Sequence, residues 1–485
     1  MAPVIFLLGG NKMDALTAWL EKHVLPIAAK IGAQKHLVAL RDAFIGTMPA
    51  TMAGSVAVMI NAIIRDLPGQ FISTWGASIA EGKGIFALIS TIITINGYVW
   101  NGTLAIAGII FAFSWGFNLA RAYGVNDLAG GIVSLAAAIS GVTYSYSGTL
   151  AQKVPADLMD QINANSATSG WSATADGITA NAWGWIPLNN MDANFYFTAM
   201  IVGFVASIIF CKLMLANITI KMPEQVPPAV SKAFAAIIPA TAALYVVAIF
   251  YWIFSKLVPG MTLLAWIQEM IAKPLLGFSQ GYGAVLIVTL FVQLFWFFGI
   301  HGTNVLAPIL EGVFSVAQLK NVNLFQEGGM SAVLDDGYKW VRGSFDIYAW
   351  FGGAGGTLML LIAILIFSKR ADYRAVGTLG VGPGIFNINE PVMFGMPIVL
   401  NALLFIPYIL APLVSVSIGF FATQAGWVNP VSQQVVWVTP PILNALLATA
   451  MDWRAVVVSV ICMAVTFAIY TPFVIAANKV QPTDL

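Results

Sequence analysis

Apolar runs separated by short polar or basic stretches recur along almost the whole chain. At about 1.5 Å per residue, a run of about 20 residues is long enough to cross a hydrocarbon core of about 30 Å. The pattern predicts spans at Ala43 to Ile64, Ala129 to Leu150, Asn194 to Leu215, Phe234 to Phe254, Gly283 to Gly299, Tyr348 to Phe367, Val392 into the 410s, and Val456 to Ala476. Residues 84 to 120 are apolar for too long to be one straight helix. The interruption from Asn96 to Gly102 makes this stretch either two short spans or one helix broken in mid-membrane. Its amides and aromatics are groups that a sugar site uses, and equally groups that make helix contacts. Leu263 to Phe278, interrupted by Glu269, Lys273 and Pro274, reads as an interfacial piece. The fold class is therefore an all-α polytopic integral membrane protein, with about ten transmembrane helices plus re-entrant hairpins and amphipathic helices.

Charge orients this arrangement. Lys12, Lys22, Lys30, Lys35 and Arg41 precede the first span, which places this end in the cytoplasm. Leu16, Trp19, Leu20, Leu25, Ile27 and Ile31 recur at roughly helical spacing among them, so residues 1–42 form amphipathic helices. These either lie on the membrane or pack as solvated helices on their own protein. The short apolar opening, Pro3 to Gly10, is too short for a signal sequence. Residues 151 to 192 carry Asp157, Asp160, Asp176 and Asp192 against Lys153, a polar extramembrane loop whose poverty in basic residues favours the outer side. Lys212, Lys221 and Lys232, and later Lys369, Arg370 and Arg374, mark returns to the cytoplasm. For the count to close, residues 263 to 278 or 305 to 318 must cross, or enter and return.

Composition agrees with the pattern: 59% of the 485 residues are hydrophobic and 9% charged, against roughly 25% charged in an ordinary soluble domain. A net charge of +1 without a long basic run gives a nucleic-acid partner no electrostatic support. Cys211 and Cys462 sit in separate apolar segments, as buried thiols and not as a disulfide or metal framework, and neither a metal nor a cofactor is expected.

Chemistry concentrates in the second half. Gly382-Pro383-Gly384-Ile385-Phe386-Asn387-Ile388-Asn389-Glu390-Pro391 places a carboxylate between two helix-breaking clusters. In hydrocarbon an ionised acid costs several kcal/mol and persists only where it lines a cavity or has a partner. Broken helix at that depth carries the same implication. His301 follows the aromatic run Phe295-Trp296-Phe297-Phe298, and Trp437 precedes Val438-Thr439-Pro440-Pro441. A carboxylate that accepts hydroxyls, an imidazole and an indole face that stacks on a pyranose together describe a sugar pocket. Taken alone, a membrane histidine such as His301 is more often a structural hydrogen-bond partner.

At these residues the chain resembles a family. Gly299-Ile300-His301-Gly302 and Asn387-Ile388-Asn389-Glu390-Pro391 are similar to paired signatures of the membrane-spanning enzyme IIC components of the bacterial sugar phosphotransferase system, in the lactose, cellobiose and diacetylchitobiose branch. The run from Leu20 to Met48, including Leu40-Arg41-Asp42-Ala43-Phe44, resembles the same branch, and the likeness extends over nearly the whole chain. The loop at 151 to 192 is longer than is usual there, and Val438 stands where many members carry Thr. The resemblance implies a permease that moves a β-linked disaccharide, cellobiose or a related β-glucoside, and phosphorylates its 6-hydroxyl. It implies catalytic roles for Glu390 and His301, and sugar contacts from both together with Trp296, Asn304, Asn389 and Trp437. It also implies a homodimer in the bacterial plasma membrane, with dimer contacts in 43–260 and the sugar site with its re-entrant segments in 261–485. The phosphoryl donor would be a phosphocysteine on a separate enzyme IIB, served in turn by IIA and HPr. Two other readings compete: a proton-coupled secondary sugar transporter with Glu390 as the proton carrier, and a receptor or structural membrane protein in which His301 and Glu390 are dispensable for uptake.

Overall fold

The computed structural model describes residues 22, 26, 30, 33–150, 153–166, 170–184, 186, 190–223, 225–395, 398–399 and 401–479. Its longer helices in chain order are α1 (Lys35–Asn61), α2 (Ile85–Asn101), α3 (Ala107–Ala122), α4 (Asp127–Ile139), α5 (Tyr196–Leu215), α6 (Pro228–Leu257), α7 (Tyr282–Phe297), α8 (Val316–Asp336), α9 (Thr357–Phe367), α10 (Ala371–Ile385), α11 (Ala402–Gln424) and α12 (Trp453–Ala477). Six segments among the described residues are long and apolar enough to cross a membrane: Lys35–Gly69, Ile85–Ala122, Ala193–Leu215, Pro228–Leu257, Leu403–Gln424 and Trp453–Ala477. A seventh is the pair Leu263–Ser279 and Tyr282–Phe297, bent by 75°. The chain is a multi-pass, all-α membrane protein with six, or up to seven, such spans among the described residues, against the expected count of about ten.

The shortfall has local causes. The span expected from Ala129 to Leu150 is not one helix, because α4 stops at Ile139 and Ser145–Leu150 becomes a strand, β1. Thr143 and Tyr144 lead into that strand, residue types that favour a pleated surface over a helix. From Tyr348 to Phe367, Gly352, Gly353, Gly355 and Gly356 take φ of 78°, 95°, 92° and 64°. That left-handed run delays α9 until Thr357 and leaves it 11 residues, about 16 Å long. In the third case a short helix, Glu390–Gly395, comes first, and the Asn401 side chain caps α11 by accepting from the Leu403 and Leu404 amides. The break expected at 96 to 102 falls later, at Gly102 to Ile106. Buried Asn96 instead donates to Asn61 Oδ1 at 2.7 Å, joining α2 to α1. Of the amphipathic helices expected over residues 1–42, Lys12, Leu16, Trp19, Leu20, Leu25, Ile27 and Ile31 lie outside the described residues, while Lys22 and Lys30 are helical and exposed.

The chain divides into two compact units. One comprises the described residues up to Leu104 and from Ala272 onward; the other is Ala105–Ile271. In the second unit, α3, α4 and α5 pack through small residues. A Cβ on Gly116 would lie 2.3 Å from the Gly130 carbonyl oxygen, so only glycine lets these backbones approach so closely. Its polar stretch folds as a three-stranded antiparallel sheet of order β1-β3-β2, with β2 at Trp171–Thr174 and β3 at Gly177–Trp183. Ser145 faces Trp183 in register, and Thr174 faces Gly177 across a two-residue turn.

The first unit contains much irregular backbone, and carboxamide side chains supply its missing hydrogen bonds. Gln280 accepts from the Trp340 amide and donates to its carbonyl, both at 2.8 Å. Gln318 accepts from Gly343 N and donates to the Gln433 carbonyl, and Asn321 donates to the Tyr338 and Val431 carbonyls. Where water is excluded, each unpaired peptide group costs several kcal/mol, so these amides stand in for the absent ladder partners. Cys462 in this unit and Cys211 in the other are buried and are not joined in a disulfide.

Candidate functional site

Two helix ends deliver the candidate site. α7 ends in a Schellman motif: Gly299 N–H bonds to the Trp296 carbonyl and Ile300 N–H to the Phe295 carbonyl. The left-handed position is Gly299, with φ of 76°. His301 follows, and its imidazole caps the short helix Gly302–Val305. Gly302 is set by a close approach, since a Cβ there would meet the Val292 carbonyl oxygen at 2.1 Å and Trp296 Cδ1 at 3.0 Å. The two glycines of the Gly-Ile-His-Gly string therefore have different causes, one conformational and one steric.

α10 ends the same way. Asn387 N–H bonds to the Gly384 carbonyl and Ile388 N–H to the Pro383 carbonyl, with Asn387 in the left-handed position at φ of 61°. Three residues later Glu390 opens the helix Glu390–Gly395. At its other end α10 is anchored by Arg370, which donates twice to Asp372, at 3.1 and 2.6 Å. That hydrogen bonding, by the Arg370 guanidinium first of all, holds the Asp372 carboxyl below the usual carboxylate range.

These two ends bring His301 Nε2 to 3.8 Å from Glu390 Oε1, with side chains 39% and 49% exposed. Both groups thus face open space. The imidazole's other nitrogen is occupied: Nδ1 accepts from the Asn304 backbone N–H at 3.3 Å and lies 3.0 Å from Thr303 Oγ1. A backbone N–H can only donate, so in the neutral imidazole the proton sits on Nε2, the nitrogen that points to the acid. At 3.8 Å the two groups are too far apart for a good direct hydrogen bond. One hydroxyl oxygen at about 2.8 Å from each fits between them, receiving a proton from Nε2 and giving its own to the carboxylate.

Of the other expected residues, Trp296 is brought to this pair. The Trp296 ring centroid is 4.3 Å from that of His301. Its indole N–H is buried and has no partner among the described residues. Asn304 contributes its backbone N–H to His301. Asn389 is buried and turned away, donating to the Ala354 carbonyl at 3.0 Å. Trp437 is 40% exposed, and its carbonyl accepts from Asn387. A groove of about 520 Å³ lined by Tyr282, Leu290, Leu413 and Phe421, and one of about 490 Å³ lined by Arg65, Asp66, Phe325 and Asn429, include neither His301 nor Glu390.

Two features were not anticipated from the sequence. The carboxamide of Asn387 binds three backbone groups, and Arg342 forms a half-buried charge cluster. Arg342 donates to Glu311 Oε1 at 3.1 Å and to Asp346 Oδ1 at 2.8 Å, with its guanidinium carbon 4.9 Å from the Trp350 ring centre. The i, i+4 spacing of Arg342 and Asp346 was the one signal available for the cluster.

Comparison with known proteins agrees with this fold. The family description Phosphotransferase system, EIIC matches residues 41–412. The cellobiose-specific EIIC component of the phosphotransferase system from Lactococcus lactis subsp. lactis (strain IL1403) is 49% identical, covering 98% of this chain and 100% of the relative. The lichenan permease IIC component of Bacillus subtilis (strain 168) is 32% identical over 95% of this chain and 93% of its own. The crystal structure of the transporter ChbC, the IIC component from the N,N'-diacetylchitobiose-specific phosphotransferase system, superposes with a TM-score of 0.81. It is 29% identical, over 95% of this chain and 98% of that one. With a family match of this extent, and a fold that agrees with it, the chain belongs to the EIIC family of phosphotransferase-system sugar permeases.

Proposed function

We propose that this protein carries a β-linked disaccharide, cellobiose or a related β-glucoside, across the bacterial plasma membrane and releases it inside as the 6-phosphate. The single observation that carries the reading is the pair His301 Nε2 and Glu390 Oε1, 3.8 Å apart in half-open space, with the imidazole proton directed at the gap. A sugar 6-hydroxyl in that gap is held through its oxygen by His301 and gives its proton to Glu390 as the oxygen attacks phosphorus. The phosphorus–sulfur bond of a phosphocysteine on enzyme IIB breaks in the same step, and the thiolate leaves. Trp437 offers a face for a pyranose ring and Asn304 a polar group, while Trp296 and Asn389, both buried, back the site. The choice of a β-glucoside is supported by the cellobiose-specific and lichenan relatives.

In this reading IIB receives its phosphoryl group from HPr through IIA. The protein works as a homodimer, with dimer contacts in 43–260 and the sugar site in 261–485, and its N-terminus faces the cytoplasm. The test gives membrane vesicles labelled cellobiose with and without phospho-IIB. Sugar phosphate should appear only with phospho-IIB, and Glu390→Gln should abolish it while retaining part of the sugar binding. Accumulation of unmodified sugar driven by a proton gradient alone would overturn the reading.

A further inference from the structure

Both arms of the site need a left-handed residue after a helix, yet they use different ones. Gly299 serves α7, and glycine meets that need at no steric cost. Asn387 serves α10, and its side chain is fully engaged elsewhere. Its Oδ1 accepts from the Gly352 N–H at 2.9 Å, and its Nδ2 donates to the Trp437 carbonyl at 2.7 Å and the Thr439 carbonyl at 3.0 Å. The residue is 7% exposed, and both amide hydrogens and one face of the oxygen are used. A helix cap alone requires none of these bonds.

We propose that Asn387 is a positioning residue of the sugar site. Its carboxamide locks three separate segments into one piece: the loop that carries Glu390, the glycine turn at Gly352–Gly353, and the loop that carries Trp437. The proposal rests on the roles given above to Glu390 and Trp437. Independent contacts hold the same turn. Asn389 donates to the Ala354 carbonyl, and a Cβ on Gly353 would meet Asn389 Cγ at 2.7 Å and the Asn387 carbonyl oxygen at 3.0 Å. The turn is therefore clasped by two carboxamides and has no room to slide. Without the Asn387 amide, the Trp437 and Thr439 carbonyls lose a partner inside the protein, and their loop must move to find another. The indole moves with it, and Glu390 loses the platform on which its loop rests.

The experiment uses the full chain in proteoliposomes with phospho-IIB and labelled cellobiose, and compares Asn387→Gly, Asn387→Asp, Glu390→Gln, Trp437→Ala and the Asn387→Gly, Trp437→Ala double variant. Glycine keeps the left-handed backbone and removes only the clasp. Aspartate keeps the acceptor for Gly352 and sets a carboxylate oxygen against two carbonyls. Asn387→Gly should lower kcat/KM about 10- to 100-fold, shared between a raised KM and a lowered kcat. In the Trp437→Ala background its effect on KM should shrink to less than about 3-fold, because the loop no longer carries the ring. If Asn387→Gly is not recovered folded, Asn387→Asp takes its place, in a double variant with Trp437→Ala, with the same raised KM and the same loss of effect. Either single variant acting within about 3-fold of the parent while Glu390→Gln is inactive, or fully independent effects at 387 and 437, would reduce Asn387 to a helix cap. Parental phosphorylation by Glu390→Gln would instead remove the reading of the site itself, and this proposal with it.

Discussion

The arm that ends α7 and the arm that ends α10 solve one backbone problem twice. Each helix stops in a Schellman motif, and each then delivers a polar side chain within three residues, His301 in one and Glu390 in the other. In the imidazole arm the working side chain is fixed from within its own segment, by the Asn304 N–H and the Thr303 hydroxyl. In the acid arm Glu390 has no such local anchor among the described bonds, and its loop is fixed from far along the chain, at Gly352, Ala354, Trp437 and Thr439. A group held by neighbours in sequence is set as soon as its turn forms, whereas a group held by distant loops is set only when the whole unit has packed. The same contrast separates the glycine cap from the asparagine cap: the first supplies only a conformation, the second a conformation and three hydrogen bonds.

That comparison can be broken or sharpened at several strengths. The largest effect is expected at Glu390→Gln, where loss of the proton acceptor should reduce sugar phosphorylation by about 10²- to 10⁴-fold with binding partly kept, read by phosphorylation assay and equilibrium sugar binding. Next comes Gly302→Ala. The new methyl meets a backbone oxygen that cannot step aside, so the His301 helix must shift, at a cost of about 100-fold in kcat/KM for a displacement near 1 Å. A far smaller effect is expected from exchanging the caps in the other direction. Gly299→Asn keeps a residue that tolerates left-handed backbone, its Cβ lying 3.3 Å from Val399 Cγ1, and kcat/KM should stay within about 3-fold of the parent. A loss at Gly299→Asn as large as that at Asn387→Gly would show that both caps are merely intolerant of change, and the contrast between the arms would vanish.

The smallest effect is expected at the outer end of the acid arm. The Asp372 carboxyl is depressed by Arg370, so its contribution is present above its ordinary value of 3.8 and is lost as pH falls through the lower value it has in the folded protein. The carboxylate side chain is 55% exposed, and Asp372→Asn should change the melting free energy at neutral pH by less than about 1 kcal/mol, with no change in kcat. Thermal melts from neutral pH down to about pH 3 should show the parent and variant converging only at the acid end.

Much of this molecule was legible in the residues. The basic clusters and apolar runs located most of the helices that cross, because hydrocarbon thickness imposes a length that a sequence must obey. The acid between helix breakers and the histidine after the aromatic run announced themselves because polar groups in such surroundings are costly. Legibility failed where local preference and apolarity disagreed. Ala129 to Leu150 is apolar enough to be read as a span, yet its last six residues, Ser145–Leu150, pair with β3. Tyr348 to Phe367 loses half its helix to four glycines that a hydropathy reading counts as neutral. Asn389 was expected at the sugar, but its side chain holds Ala354. Its neighbour Asn387, unmarked by spacing, makes the contacts that join the loops.

By itself the sequence determined the solvent this protein lives in, the helix breaks that precede His301 and Glu390, and the cost of an acid at position 390. Those follow from free energies of transfer and from backbone sterics, which act residue by residue. Only the tertiary structure decided that residues 301 and 390 meet at 3.8 Å, that the imidazole proton lies on the nitrogen between them, and which asparagine holds which loop. Such facts depend on contacts between segments from 35 to about 90 positions apart. Their geometry exists only once burial has removed the competing water.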